Sequence, residues 1–327
     1  MSDLGPLIFD PVPRTKELWG GPALVTVLGK PFPSDARIGE SWELSDYPGS
    51  ETSVRGGPLG GHSLRQLVEE RTEEIIGDPA VLQAGRFPLL VKYIGASQTL
   101  SVQVHPGDAY AREHEAGSGK KEAWYIIHVE PGAKLIRGVT PNTTRQKFAA
   151  AIETGELEPC LHAFEPKPGD VIMIPWGMVH AIGAGIVLAE IQQTSDLTYR
   201  VFDWNRIDDD GTARELHVDK ALDVIEFEPP KTDTCKRRPL DDGPCPRYEA
   251  VRCDKFVIEV FELAGSVDDA PPENRFAILN VVAGNAALAH SGGEMELPLG
   301  TTALLPAALD GYTLRADDAT VLKSYVP

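Results

Sequence analysis

The sequence predicts a mostly β chain of two barrel-like units with a helical insertion, and three observations carry that expectation. Short apolar runs rich in β-branched residues recur between Gly, Pro and Asp punctuation: FPLLVKYIG, TLSVQVH, AWYIIHV, AKLIRGV, DVIMIPW and GIVLAEIQQ. Short strands at this spacing make a barrel or a sandwich. Similar runs resume later in the chain as KFVIEVFEL, RFAILNVVAGNAALAH, MELPLGTTALLPA and YTLRA, which read as a second, smaller barrel. Between the two sets, residues 228–249 (EPPKTDTCKRRPLDDGPCPRYE) are proline-rich, charged and aperiodic, the composition of a linker. The expected division is therefore 1–227 as the first barrel with its helical insertions, 228–249 as linker, and 250–327 as the smaller barrel; 327 residues exceed what one compact core usually holds.

In chain order, the opening stretch with Pro11, Pro13, Trp19, Gly20, Gly21 and Pro22 lacks helical periodicity and should wrap a β core as loop and short strands. From Ser63, a capping box with Gln66 opens an amphipathic run of Leu64, Leu67, Val68, Ile75 and Ile76, which Gly77 stops. A second helix is expected from Thr143 to about Gly155, with Thr143 and Gln146 as its capping box. A third carries Val218, Ala221, Leu222 and Ile225 at helical spacing. The β regions resemble each other weakly, GDVIMIPWGMVHAI matching GTTALLPAALDGYTL in pattern. Five residues past the proline stands His180 in the first and Gly311 in the second.

The formal charge of −18, from 31 Lys+Arg against 49 Asp+Glu, repels phosphodiester backbones and anionic lipid headgroups, so nucleic acid and membrane are poor partners. A small anionic substrate requires a few cations that converge locally and override that field. No apolar run approaches the ~20 residues of a membrane span, and the start MSDLGPLIFD has no basic-then-apolar leader; a cytoplasmic protein is expected. Cys160, Cys235, Cys245 and Cys253 include no C-x-x-C pair and read as reduced, structural thiols.

Chemistry concentrates in TLSVQVH. Strand alternation places Ser101, Gln103 and His105 on one face and Leu100, Val102 and Val104 on the other. Three polar residues aimed into a barrel need partners, since a buried polar group without a hydrogen bond costs about 1–3 kcal/mol. A metal or a substrate would provide them. Most histidines here (His62, His114, His128, His162, His217 and His290) read as ordinary core or surface residues. His105 and His180 differ, each lying at a strand end, in QVHPGD and IPWGMVHAIG, with Glu122 starting the strand EAWYIIHV. Two imidazoles and a carboxylate suit a borderline ion such as zinc, and a side-chain amide with water can complete the shell.

These segments resemble the type I phosphomannose isomerase family, whose hallmarks include Q-x-H-P, G-K-x-E and T-Y-R-x-x-D elements. This chain has QVHP at 103–106, GKKE at 119–122 and TYRVFDWNR at 198–206, in the family's order with IFDPV near the start, GESWELSD at 39–46 and ARELHVDKALDVI at 213–225. The resemblance implies a cupin-like (jelly-roll) fold, one zinc ion per chain held by Gln103, His105, Glu122 and His180, and a C-terminal barrel without ligands. It implies an essential arginine at Arg200 and a lysine at Lys120, with Lys92 and Ser101 as candidates for a phosphate. Glu190 and Asp203 fall where the family keeps acidic residues, and a structural partner for Arg200 would explain either one. The implied reaction interconverts mannose 6-phosphate and fructose 6-phosphate through an enediolate, with Arg200, Lys120 and Glu190 as the catalytic candidates and a phosphorylated hexose as the partner. Lys120, a carboxylate such as Glu190, or a zinc-bound hydroxide could each take the proton. Two alternatives stand beside it: a metal-dependent cupin oxygenase, because two His and one carboxylate also form a facial triad, and a sugar-binding cupin without turnover. The Gln103 position and the cations favour a phosphorylated, redox-neutral substrate.

Overall fold

Period-two alternation sorts the strands into three stacked antiparallel sheets. The computed structural model describes residues 4–15, 17–207, 211–241, 243 and 245–327. A six-stranded sheet runs, in spatial order, through Val171–Ile174, Glu122–Val129, Ile186–Gln193, Leu89–Ala96, Glu40–Leu44 and Val12–Arg14. A five-stranded sheet contains Tyr199–Phe202, Val102–Val104, His180–Ile182, Leu135–Val139 and Leu161–Phe164. The C-terminal strands, led by Val257–Asp269, Ala277–Gly284, Thr302–Leu305 and Tyr312–Tyr325, form a ten-stranded sheet. That sheet also takes in Leu7–Asp10 and Ser53–Val54 from the start of the chain.

Each sheet face has a defined neighbour. Ile94, Trp124, Ile126, Ile186 and Leu188 of the six-stranded sheet pack with Leu135 and Ile182 of the five-stranded sheet. The alternate residues Val91, Tyr93, Ala123, Tyr125, Ala189 and Ile191 face the other way, onto Ile258, Val260, Ile278 and Leu322 of the ten-stranded sheet. Val102, Val104, Val179 and Ala181 turn outward from the five-stranded sheet against Phe148, Ala221 and Leu222 of the covering helices and against Leu157. Polar residues that share the inner-face register, Lys92, Glu122 and Glu190, must therefore lie between the first two sheets.

The mostly β expectation holds, with stacked open sheets in place of closed barrels. No sheet among the described residues closes on itself. The edge strand Val12–Arg14 carries Pro13, which has no N–H to donate to a further strand. The stretch read as linker contains the strand Arg238–Asp241 and the start of Arg247–Arg252, paired at the edge of the ten-stranded sheet; residues 242 and 244 lie outside the described residues. Its first strand is exposed at every position, so it carries no apolar alternation to announce it.

The helix after Ser63 has the expected capping box but ends at Glu70; after Arg71 a separate turn, Thr72–Ile75, continues to Gly77. The next helix, Arg145–Thr154, is capped by Thr144, whose hydroxyl accepts from Lys147 N–H. The expected cap, Thr143, is instead buried and paired with the Thr140 hydroxyl at 3.0 Å. Val218–Val224 forms as expected, whereas the short helices Ala23–Leu28 and Asp108–His114 had no periodicity long enough to declare them. The four cysteines are free thiols, Cys160 and Cys245 buried. No described helix is long and apolar enough to cross a membrane.

Gly77 has φ +84°, and a Cβ there would sit 2.2 Å from the carbonyl oxygen of Asn274. It marks the close approach of the Thr72–Ile75 turn to the segment leading into the strand Ala277–Gly284. Gly77→Ala should therefore cost about 2 kcal/mol or more, read as a lower urea midpoint with an unchanged slope. An unaltered midpoint would show that this junction yields freely.

Candidate active site

The two inner sheets each bring part of one polar cluster. His105 follows the strand Val102–Val104 and His180 opens the strand His180–Ile182, both in the five-stranded sheet, while Glu122 opens a strand of the six-stranded sheet. Their candidate ligand atoms all lie within 4.8 Å of one another, and all three residues are at most 1% exposed. His105 Nδ1 lies 3.0 Å from Leu197 O, and His180 Nδ1 lies 2.8 Å from Met178 O. A carbonyl can only accept, so each Nδ1 carries the proton and each Nε2 presents a lone pair. Both Nε2 atoms point at Glu122, 3.4 Å from its Oε2 and Oε1. These four buried atoms have no hydrogen-bond partner.

Their ionisation fits a cation site. Burial pushes the His105 imidazole down, to about 3, with the Lys120 charge adding to it; His180 is also lowered, chiefly by burial. For Glu122, burial acts upward, but the Lys120 ammonium at 3.5 Å outweighs it and holds the carboxyl well below its usual range. Two neutral imidazoles and a carboxylate are a donor set that suits a borderline divalent ion, and here their lone pairs converge with no hydrogen-bond donor between them.

A cavity of about 260 Å³ opens beside the cluster, lined by Ser101, Gln103, Lys120, Glu190, Lys92 and Arg200 among others. Strand pairing explains the convergence: Gln103 stands opposite both His180 and Arg200, and Glu190 stands opposite both Lys92 and Trp124. Glu190 Oε2 accepts from Trp124 Nε1 at 2.9 Å, while Oε1 has no hydrogen-bond partner. Burial and then the Glu122 charge raise its carboxyl to about 7. Lys92 is itself buried, 3.2 Å from Glu40 and 3.6 Å from Glu190. Burial works against its charge, yet the two carboxylates raise its pKa. Arg200 donates from Nη1 to Glu215 O at 2.8 Å, leaving its buried Nε unpartnered.

The structure thus gathers Lys92, Ser101, Gln103, Lys120, Glu190 and Arg200 around one space next to His105, Glu122 and His180. Asp203 does not join them. It is held by Arg214 and Arg206, so its partners are those arginines rather than Arg200. Leu100, expected beside Val102 and Val104, packs with the opposite, inner layer, because the strand begins only at Val102. The sequence reading missed Arg14, Glu17, Glu40, Trp42, Asp196 and Arg214, which also line the cavity. Alternation in GESWELSD puts Glu40 and Trp42 on one face and could have found them; Arg14 and Arg214 carry no such signal. A larger cleft of about 920 Å³, lined by Gln83, Asp108, Gln193 and Lys255 among others, lies apart from this cluster.

Two family models match the chain: phosphomannose isomerase type I, catalytic domain, over residues 12–148, and mannose-6-phosphate isomerase, cupin domain, over residues 247–326. The mannose-6-phosphate isomerase ManA of Bacillus subtilis is 37% identical over 313 residues, covering 94% of this chain and 95% of its own length. The mannose-6-phosphate isomerase of Streptococcus mutans is 33% identical over 305 residues, covering 92% and 93%. The crystal structure of the mannose 6-phosphate isomerase from Bacillus subtilis superposes with a TM-score of 0.89 at 32% identity, covering 98% of this chain and 99% of that one. A mostly β chain with this likeness falls in the class of aldose–ketose isomerases. Within that class, it belongs to the type I mannose-6-phosphate isomerase family.

Adding a divalent ion to metal-free protein should raise its thermal midpoint, since an ion at a hundredfold excess over its Kd stabilises the folded state by about 2.7 kcal/mol. His105→Ala should lose that response while keeping its β circular dichroism. A variant that still shifts with metal as the parent does would locate the ion elsewhere.

Proposed function

We propose that this chain interconverts mannose 6-phosphate and fructose 6-phosphate through an enediolate, using one zinc ion per chain. The observation that carries this reading is the set of four converging, unpartnered lone pairs at His105, Glu122 and His180, set beside a cavity rich in cations. Gln103, across the ladder from His180, is the proposed fourth ligand. Bound there, zinc would supply Lewis acidity to the sugar oxygens on C1 and C2. A redox-neutral isomerisation is favoured over cupin oxygenase chemistry by the basic groups and by the family's own members. A binding protein without turnover is disfavoured by the buried Glu190 oxygen Oε1, which faces the Lys92 ammonium but accepts no hydrogen bond.

The reaction moves one proton between C2 and C1 while the oxygens on those carbons exchange carbonyl and hydroxyl character. Glu190 is the proposed carrier: its carboxylate removes the proton from C2 of the aldose and returns it to C1. Its raised pKa, near 7, suits reversible transfer at neutral pH. Arg200 and Lys120 offset the negative charge that grows on the adjacent oxygens in the enediolate. Lys92 and Ser101, which both line the cavity, are the proposed phosphate contacts. Residues 1–227 and 250–327 are read as two cupin-like units joined through 228–249, supported by the cupin-domain match at 247–326. A cytoplasmic enzyme of sugar metabolism is the location this reading implies. A coupled assay on mannose 6-phosphate, before and after chelation, tests the whole proposal: activity that is absent with added zinc, or indifferent to chelation, would sink it.

Arg200→Ala should lower kcat about a hundred- to thousandfold, the cost of about 3–4 kcal/mol for losing a transition-state donor. KM should change less, and zinc content should stay near that of the parent. Retention of kcat within about threefold would assign the enediolate to another cation.

The Glu190 carboxyl is raised, so its base form is gained as pH rises through its folded pKa and lost below it. A divalent ion on Glu122 cancels the second cause of that rise, so the holoenzyme value should lie between the ordinary 4.5 and about 7. The profile of log kcat/KM should therefore fall with unit slope below a midpoint in that window, and Glu190→Gln should lose activity at every pH. A Glu190→Gln enzyme with the parent's acid limb would exclude this assignment.

A further inference from the structure

The Cys253–Phe256 turn, between the strands Arg247–Arg252 and Val257–Asp269 of the ten-stranded sheet, reaches the segment that carries Lys120 and Glu122. The turn is closed by Cys253 N–H to Phe256 O at 3.0 Å and anchored by fully buried Phe256. Asp254 Oδ1 meets Lys121 Nζ at 2.5 Å, and Lys255 Nζ meets Asp108 Oδ2 at 2.7 Å. The Trp176 ring lies beneath both ammonium groups, 4.1 Å from Lys121 Nζ and 5.5 Å from Lys255 Nζ.

Behind these contacts sits one buried amide. Gln193 Oε1 accepts from Lys121 N–H and from Trp176 Nε1, each at 3.0 Å. Its backbone N–H donates to Lys121 O at 3.1 Å, and its Nε2 donates to Asp108 Oδ1 at 3.1 Å. The same Asp108 oxygen accepts from Gly119 N–H at 2.9 Å. Gly119 is required there, because a Cβ would lie 2.7 Å from Asp108 N. The peptide groups of Gly119 and Lys121, immediately before Glu122, are thus fixed by two side chains, and one of these is gripped by the C-terminal turn.

We propose that Asp254 and Lys255 form a clamp from the C-terminal sheet that sets the position of Lys120 and Glu122, acting through Asp108 and the positioning residue Gln193. This rests on the reading of Glu122 and Lys120 as site residues. It gives the C-terminal region a part in the site that it borders only at second hand. Contacts of this outer kind hold a ligand's orientation, and losing them commonly costs tenfold or more in metal affinity or activity.

The test uses the zinc-loaded full chain with Asp254→Ala and Lys255→Ala combined. Residue-resolved amide exchange should quicken about tenfold at Gly119 and Lys121, zinc should pass to a chromogenic chelator about tenfold faster, and kcat should fall with KM within about twofold. Lys255→Arg alone should restore the parent's exchange at Gly119. If the double variant does not fold, Lys255→Met carries the same exchange test. A lowered thermal midpoint with both amides and zinc release unchanged would reduce the turn to a structural contact and overturn the clamp. The exchange result stands independently of turnover, so a chain inactive on mannose 6-phosphate would refute the proposed function without touching this one.

Discussion

Glu122 imposes the constraint on which the site depends: a carboxylate removed from water with neither oxygen hydrogen-bonded. Left alone in such surroundings, a carboxyl group takes up a proton. Here the Lys120 ammonium, 3.5 Å from Oε2, keeps it charged. The two imidazoles could relieve the carboxylate themselves by donating from Nε2, but each has committed its proton to a backbone carbonyl on the other side of the ring. Leu197 O and Met178 O therefore decide the chemistry of the cluster as much as the ligand atoms do, because they fix the tautomers that leave lone pairs facing inward. The sheets exist at the right separation to hold this arrangement because Trp124, Ile126, Ile182 and Leu188 fill the same interlayer beyond it.

Much of this was legible in the sequence because strand alternation is a strict rule. Ser101, Gln103 and His105 could be placed on one face by counting, the histidines stood out by lying at strand ends, and Lys92 and Glu190, in strands buried at every position, were marked only by the family resemblance. Barrel closure was not legible, since spacing between strands says nothing about whether the edges meet; that depends on twist and on edge residues such as Pro13. Thr143 and Thr144 offer the same cap chemistry one residue apart, and the choice between them is made by Thr140, which captures the first. Arg14 and Arg214 escaped notice because a cation at the end of a three-residue edge strand, or in a loop, has no periodicity to mark it, and only the folded chain brings it to the cavity.

Lys92 illustrates the difference between having a charge and being able to use it. Counted in the sequence it is a cation available for an anion. In the fold its ammonium lies between Glu40 and Glu190 and 4.6 Å from the centre of the Trp42 ring. Its field still reaches the cavity, and it also steadies Glu190, whose carboxyl would rise further without it. A substitution at Lys92 therefore acts on phosphate attraction and on the proton carrier together. Lys120, close to a single carboxylate oxygen at 3.5 Å, is less divided.

The balance of charge around the whole cavity lets a chain with a formal charge of −18 receive a dianion. Arg14, Lys92, Lys120, Arg200 and Arg214 line it against Glu17, Glu40, Glu190 and Asp196, so the cations exceed the carboxylates by one. Glu122 on the adjoining wall cancels that excess and leaves the protein's own groups neutral. A divalent ion in the cluster then makes the site doubly positive, matched to a phosphate monoester of about −1.5 to −2 at neutral pH. Attraction for the substrate would thus depend on metal occupancy even where the phosphate never touches the ion. Low-dielectric walls carry that field across the cavity, whereas the acidic exterior is screened within about 8–10 Å. The overall negative charge and the anionic substrate are compatible because they act on opposite sides of that screening length.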